Sequence, residues 1–184
     1  MARLPYIHPN DMPQELAALL ATRPPYNVYR LLAHSPPVAQ CFIKLAGALL
    51  NEGELDPQLR ELAILRVGAL CESRYEVHQH TRLAKLVGVS NDRIARALHT
   101  VGDDATDETD GALLAFTTAY VLHNKVSPSL FDAMKALLSD RQLTELTMTI
   151  GFYTMVSKFL ENMEVDLEKK DLDISSADFY KVTQ

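Results

Sequence analysis

Four residues between positions 61 and 80 have types and spacings that suit proton transfer: Glu61, Ser73, Glu76 and His80. Glu76 and His80 are separated by one helical turn, which places them on the same face of a helix. Burial raises the pKa of a carboxyl group and lowers that of an imidazole, whereas attraction between the two shifts each pKa in the opposite direction. Such a pair can exchange protons near neutral pH, so Glu61, Glu76 and His80 are the candidate catalytic groups.

Two helices must position these groups. Residues 60–90 read as a pair of helices joined by a short turn near Cys71. In an antiparallel hairpin with its turn at that point, residues whose numbers sum to about 141 lie level with each other, so Glu61 faces His80. His80 also lies in the apolar stripe of its own helix, whereas His78 falls on the outer face. The pattern therefore includes His80 in the site and leaves out His78.

Three interpretations without catalysis compete with this one. Ser73 and Glu76 also match a capping box, in which the two side chains bind free N–H groups at a helix start. An inward histidine is often a hydrogen-bonded core residue, and a glutamate beside it is often structural. A metal site formed by Glu61, Glu76 and His80 is a further alternative, but no feature of the spacing selects a metal. We predict no metal and no cofactor.

Helix signals dominate the remainder of the chain. Ser35-Pro36, Asp56-Pro57 and Ser127-Pro128 each place a capping residue before a proline, which is typical of a helix start. No segment shows the period-two alternation of a half-buried strand, so the predicted fold class is all-α. Further helices are expected at about 12–21, 26–33, 36–51, 108–123 and 128–138. A last helix begins near Arg141, and its near-heptad apolar stripe is predicted to pack against a partner surface.

Composition excludes several classes of function. Hydrophobic residues make up 47% of the 184 residues and charged residues 23%, which is typical of a folded globular protein. The net charge of −6 argues against nucleic acid as a partner. No apolar run approaches the roughly 20 residues that span a bilayer, and the first residues lack a signal-peptide pattern. We therefore expect no membrane association and a cytoplasmic location.

Two segments resemble a known family. The run R-E-L-x-I-L-R-V at 60–67 and the pattern S-x-x-E-x-x-x-H-x-x-x-A-x-x-x-G-V-S at 73–90 resemble the carboxymuconolactone decarboxylase / alkylhydroperoxidase D superfamily. The resemblance covers about residues 38–123, and residues 153–168 are similar to the closing helix of its longer members. It implies an alkylhydroperoxidase D-like helical bundle in which a helical hairpin carries the site.

The resemblance also gives a domain plan. Residues 1–184 are expected to form a single all-helical domain with a carboxymuconolactone decarboxylase-like core at 38–123. C-terminal helices follow at 124–164 and a charged tail at 165–184. An acidic loop at 102–110 is the predicted internal break.

The chain departs from the peroxide-reducing branch of this superfamily at two positions. That branch has a Glu followed by C-x-x-C-x-x-x-H; Glu61 and His80 match, but Ser73 and Glu76 replace the two cysteines. A dithiol cycle needs one thiolate to attack peroxide and a second thiol to resolve the product. Cys71 lies near the first cysteine position without a resolving partner. Peroxidase activity through Cys71 is therefore the alternative rather than the expectation.

The decarboxylase branch, which uses neither a cofactor nor a cysteine pair, is a better match. It implies acid/base chemistry of the lyase type on a small organic acid or lactone. In this hypothesis His80 is the general acid or base, Glu61 orients it, and Glu76 is a second proton carrier.

Three neighbouring residues are the candidate substrate contacts. Ser73 and Tyr75 each offer a hydroxyl, and the Arg74 guanidinium can grip a carboxylate through two hydrogen bonds. Members of the superfamily commonly form trimers or hexamers, so a homo-oligomer is implied. A non-enzymatic helical oligomer that binds a small molecule is the third interpretation.

Overall fold

A computed structural model describes residues 1–21, 23–99 and 108–168, and these residues form helices and connections without a β-strand. The all-α prediction is confirmed. The helices, in chain order, are α1 Gln14–Leu20, α2 Asn27–Leu32, α3 Pro36–Gly47, α4 Pro57–Leu70, α5 Arg74–Leu86, α6 Asn91–Leu98, α7 Glu108–Leu122, α8 Pro128–Leu137 and α9 Asp140–Asn162. A 3-10 turn at Pro9–Asp11 precedes α1, and a π-helical turn at Ala48–Glu52 follows α3.

The three predicted proline helix starts are confirmed, because α3, α4 and α8 each begin at the proline. Asp56 caps α4 by accepting hydrogen bonds from the backbone N–H groups of Gln58 and Leu59, at 2.8 and 3.1 Å. Ser127 caps α8 in the same way, whereas Ser35 makes no side-chain cap bond. In α3 the start therefore depends on the proline's restricted φ rather than on a side-chain cap.

The described residues divide into two compact units, one of residues 1–52 with 160–168 and one of residues 53–159. In the first unit, α1, α2 and α3 bury Leu16, Leu31 and Ile43. The second unit contains α4 to α8 and most of α9. The expectation of a single domain over 1–184 includes residues outside the described ranges and stays a prediction.

Helix α4 lies at the centre of the second unit. Every residue from Arg60 to Gly68 is buried, and the helix contacts α5, α6 and α7. A helix that is covered on all sides has no single apolar face. Charged residues inside such a helix, Arg60 and Glu61 among them, must find partners within the protein.

The apolar stripe of helix α9 does not pack as the sequence predicted. The members of its near-heptad stripe from Leu143 to Val156 are buried inside the chain itself. The prediction that this stripe packs against a partner surface is therefore wrong, because periodicity shows which face is covered but not whether the same chain covers it.

Two predicted segments fall largely outside the described residues. Residues 169–184 of the charged tail and residues 100–107, which include most of the acidic loop, are not described. The part of that loop that is described, from Glu108 to Asp110, belongs to α7. In the three described ranges, no helix combines the length and the apolar character needed to cross a membrane.

Candidate active site

The site is carried by the hairpin of α4 and α5. The Ser73 N–H donates to the Gly68 carbonyl at 2.8 Å, which closes the turn, and Glu72 in that turn has a φ of +54°. A Cβ on Gly68 would lie 3.2 Å from Val77 Cγ2 and 3.4 Å from Glu76 Cβ. Glycine at position 68 therefore lets the first turn of α5 approach α4 closely beside Glu76.

Glu61 and His80 meet across this hairpin, as the register argument predicted. Glu61 Oε2 lies 2.7 Å from His80 Nδ1, and their residue exposures are 0% and 5%. A carboxylate accepts but does not donate, so His80 donates through Nδ1–H in this pair. Glu61 thereby sets the orientation of the imidazole ring and stabilises its protonated form.

Glu76 approaches the other ring nitrogen of His80. Its Oε2 atom lies 3.3 Å from His80 Nε2, one turn away on α5. The pair is within ion-pair distance, but Oε2 is buried and has no hydrogen-bond partner. His80 therefore lies between two carboxyl groups, of which Glu61 is firmly bound and Glu76 is not.

Two further residues complete the cluster, and sequence reasoning did not include either. The Arg60 Nε–H donates to Glu61 Oε1 at 3.3 Å, and Arg60 Nη2 is buried without a hydrogen-bond partner. The Tyr153 ring, from α9, packs edge-to-face on His80 with ring centroids 4.8 Å apart. Arg60 could have been found from the sequence, because an arginine inside an apolar helix indicates a buried partner. Tyr153 gives no such signal, since it is one more member of an apolar stripe.

The electrostatics of the cluster favour protons near neutral pH. Burial raises the pKa of Glu76 to about 7; the charge of His80 opposes this rise and that of Glu61 adds to it. Burial alone would lower the pKa of His80, but the charge and hydrogen bond of Glu61, with the charge of Glu76, raise it above 6.5 although Arg60 opposes them. Because the groups are adjacent, their protons come off as a coupled set.

Ser73 precedes α5 as its N-cap residue but does not act as a side-chain cap. It is fully buried, makes no side-chain cap hydrogen bond, and its Oγ has no hydrogen-bond partner. The Ser73 side chain therefore does not make the hydrogen bond that a capping box requires. A buried hydroxyl without a partner is uncommon and calls for an explanation such as a role in binding.

The other two candidate residues, Arg74 and Tyr75, lie in the first turn of α5, next to Glu76 in sequence. Tyr75 is buried on α5, whereas Arg74 is exposed and no described hydrogen bond joins it to Glu76 or His80. Their roles as substrate contacts stay predictions. His78 is half-buried on the same helix, away from the ion pairs of the cluster.

Cys71 lies at the end of α4 as a free, half-buried thiol. Burial raises its pKa, and the charge of Lys158 only partly opposes this. A raised pKa disfavours the thiolate that would attack a peroxide. Among the described residues, no group of three or more His, Cys, Asp or Glu side chains is arranged to hold a metal ion.

Comparison with protein-family models finds a match over part of the chain. Residues 36–119 match the family model of the carboxymuconolactone decarboxylase family. That range contains the whole hairpin and therefore Glu61, Ser73, Glu76 and His80, but it ends before Tyr153. No curated protein matches the chain by sequence.

Three solved structures share the fold at low sequence identity. The alkylhydroperoxidase AhpD core of a peroxidase-related protein from Ralstonia eutropha JMP134 superposes with a TM-score of 0.78 and 17% identity, covering 91% of this chain and 93% of that chain. The debrominase Bmp8 in complex with 2,3,4-tribromopyrrole gives 0.75 and 15%, covering 92% and 95%. A peroxidase-related protein from Silicibacter sp. TM1040 gives 0.69 and 14%, covering 78% and 76%.

Proposed function

Because residues 36–119 match the carboxymuconolactone decarboxylase family model, we propose that the chain performs cofactor-independent acid/base chemistry of the lyase type on a small organic acid or lactone. The observation that carries the proposal is the His80 imidazole between the carboxyl groups of Glu61 and Glu76. A general acid or base works best when its pKa is close to the working pH, and the pKa of Glu76 is about 7.

The roles of the three groups follow from their partners. Glu61 accepts hydrogen bonds from both Arg60 and His80, so it orients the imidazole and stabilises its positive charge. Glu76 is held less tightly, since its Oε2 has no hydrogen-bond partner, and it is the group that exchanges a proton with substrate. His80 lies between them and can restore the proton on Glu76 through Nε2, 3.3 Å away.

Loss of CO₂ from a substrate leaves an electron pair on carbon, and that carbon must take a proton. Glu76 in its protonated form supplies the proton in this proposal. The positive charges of His80 and Arg60 stabilise the negative charge that develops before the proton arrives. The unpaired Nη2 of Arg60 is the cationic donor that remains available in the cluster.

Tyr153 has a positioning role in the same proposal. Its ring lies nearly perpendicular to the His80 ring, at 84°, and so limits rotation of the imidazole away from its two carboxyl partners. A rigid base is needed because a small displacement of a catalytic group costs much of the rate.

The proposal also includes a small substrate and an oligomeric assembly. The debrominase of the same fold is described in complex with a small halogenated ring, which favours a small molecule here as well. We also propose a homo-oligomer of three or six subunits and a cytoplasmic location, which agree with the superfamily resemblance.

Peroxidase chemistry is the competing function, since two structures of this fold are described as peroxidase-related. It would have to use Cys71, because Ser73 and Glu76 carry no thiol. The raised pKa of Cys71 argues against this role. Peroxide consumption that disappears in Cys71→Ser would favour the peroxidase and count against the acid/base proposal.

The experiment that tests the acid/base proposal is turnover of a panel of carboxylated lactones and 3-oxo acids, followed by mass spectrometry and CO₂ release in D₂O. His80→Gln should reduce the rate of any substrate found by about 100-fold or more. His78→Gln, on the same helix but outside the cluster, is the matched control and should keep the rate.

Equal activity of His80→Gln and wild type, with helicity preserved in both, would refute the assigned role of His80. Saturable binding of a panel member without any product would favour the non-enzymatic interpretation instead.

A further inference from the structure

A concave site lies on the unit of residues 53–159, and no residue of the His80 cluster lines it. It is a cavity of about 700 Å³ between the end of α7, the connection from α7 to α8, the start of α8 and Thr147 of α9. None of its lining residues belongs to the hairpin of α4 and α5. Cavities of this size are typical of small-molecule sites.

We propose that this cavity, here called the α7–α9 pocket, binds a small aromatic carboxylate. The proposal does not rest on the acid/base function, since the two sites share no residue. It rests on the aromatic lining, on a glycine that lets Tyr120 lie against α9, and on the lysine of the lining.

Three aromatic rings line the α7–α9 pocket: Phe116, Tyr120 and Phe131. Phe116 is fully buried and forms a fixed base, with its ring centroid 6.4 Å from that of Tyr120. Tyr120 and Phe131 remain 36% and 42% exposed, so their rings face solvent at a cost that a planar ligand would remove. Stacked or edge-on aromatic contacts add further attraction for an aromatic ring.

Gly151 of α9 lies against Tyr120, one of the lining residues. A Cβ at this position would lie 3.3 Å from the Tyr120 hydroxyl, closer than ordinary van der Waals contact. Glycine inside a helix is about 1 kcal/mol less favourable than alanine. Its place in the middle of α9 lets the Tyr120 ring, which lines the pocket, lie close against that helix.

The lining of the pocket contains one lysine, one histidine and one aspartate. Lys125 and His123 come from the connection between α7 and α8, and Asp132 is the acidic residue of the lining. The whole chain has a net charge of −6. A cationic group beside an aromatic wall complements a ligand with a ring and a carboxylate, and Lys125 is the group that would face the carboxylate.

The test is a titration of the full-length protein with 1-naphthoate, which carries a planar ring and one carboxylate. The chain has no tryptophan, so naphthoate fluorescence can be followed without overlapping emission from indole. We expect saturable binding with a Kd on the order of 0.1–1 mM for a ligand of this size. His80→Gln should bind 1-naphthoate as the wild type does, which separates this site from the acid/base cluster.

Two variants with matched controls locate the ligand. Phe131→Ala should raise the Kd about tenfold, whereas Leu137→Ala, also exposed on α8 but outside the lining, should not change it. Lys125→Ala should raise the Kd for 1-naphthoate severalfold and leave binding of the neutral 1-naphthalenemethanol unchanged.

Absence of saturable binding would overturn the proposal, as would equal Kd values for wild type and Phe131→Ala. If Lys125→Ala weakened the binding of the acid and of the alcohol equally, the proposed recognition of the carboxylate by Lys125 would be wrong. Dissociation of an oligomer by Phe131→Ala in sedimentation velocity, without naphthoate binding to the wild type, would assign this face to a second copy of the chain instead.

Discussion

Two buried carboxyl groups in the unit of residues 53–159 have very different surroundings. Asp110 is 2% exposed, and both of its oxygens accept hydrogen bonds from the Arg93 guanidinium, at 2.7 and 2.8 Å. The remaining Arg93 nitrogen donates to Gln58, which links α4, α6 and α7. Glu76 is 5% exposed, and its Oε2 has only a 3.3 Å approach to His80 and no hydrogen bond.

The difference separates a structural ion pair, Asp110 with Arg93, from a pair that is suited to proton transfer, Glu76 with His80. A buried carboxylate with a bidentate arginine partner has both oxygens satisfied by charge-assisted hydrogen bonds of specific geometry. A buried carboxyl group without such a partner takes up a proton more easily, and burial raises the pKa of Glu76 to about 7. Both carboxyl groups are buried, so burial alone does not distinguish them. The missing hydrogen bond of the buried Glu76 carboxyl group is what marks the candidate active site.

The largest expected effect comes from breaking the satisfied pair. Asp110→Ala leaves the Arg93 guanidinium without its carboxylate and should lower the free energy of unfolding by about 4 kcal/mol. Urea unfolding followed by circular dichroism measures the change. Glu54→Ala removes the partner of Arg141 in an exposed pair and is the control that should change stability little. Equal small losses in both variants would show that the Asp110 pair is not a structural clamp.

The next effect tests the unsatisfied carboxyl group through its pH dependence. The pKa of Glu76 is raised from 4.5 to about 7 in the folded protein, so its contribution to stability is full below pH 4.5 and lost as pH rises through about 7. Glu76→Gln imitates the protonated form. The variant should match the wild type near pH 4.5 and exceed it by about 3 kcal/mol at pH 8, because that difference in pKa corresponds to this energy.

Unfolding in urea at a series of pH values measures this difference. Glu161→Gln, at an exposed position on α9, controls for the loss of one carboxyl group. A Glu76→Gln variant that is less stable than wild type at pH 8 would mean that Glu76 is ionised and well paired, and the contrast with Asp110 would then disappear.

The smallest effect concerns Ser73. A serine at the N-cap normally contributes about 1 kcal/mol through its side-chain bond, but Ser73 makes no such bond and buries its hydroxyl without a partner. Ser73→Ala should therefore leave the urea midpoint unchanged or slightly raised. Ser90→Ala is the matched comparison, since Ser90 Oγ accepts a hydrogen bond from the Arg93 N–H and its loss should lower the midpoint. A similar loss in both variants would restore the capping-box interpretation.

Much of the fold was predictable because its signals are local. Proline at the first helical position constrains φ without help from distant residues, and α3, α4 and α8 all begin there. The pairing of Glu61 with His80 was also predictable, because a short hairpin turn sets the register of the two helices. Both results depend on residues that are close in sequence.

Other parts of the site could not be predicted, because they depend on contacts between distant segments. Tyr153 contacts His80 from α9, more than seventy positions further along the chain. Its place in the apolar pattern of α9 is the same as that of any core residue. The same limit explains the error over the stripe of α9. Periodicity identifies a covered face, but the covering surface is a property of the folded chain.

The sequence by itself determined the all-helical fold class, the hairpin and the residue types at its site, since each follows from spacing within about thirty residues. The tertiary structure decided which of those residues have hydrogen-bond partners. It pairs Glu61 with Arg60 and His80, leaves Glu76 Oε2 and Ser73 Oγ without hydrogen-bond partners, and places Tyr153 against the imidazole. Burial and hydrogen bonding set the pKa of an acid, and both depend on what the remainder of the chain packs around it.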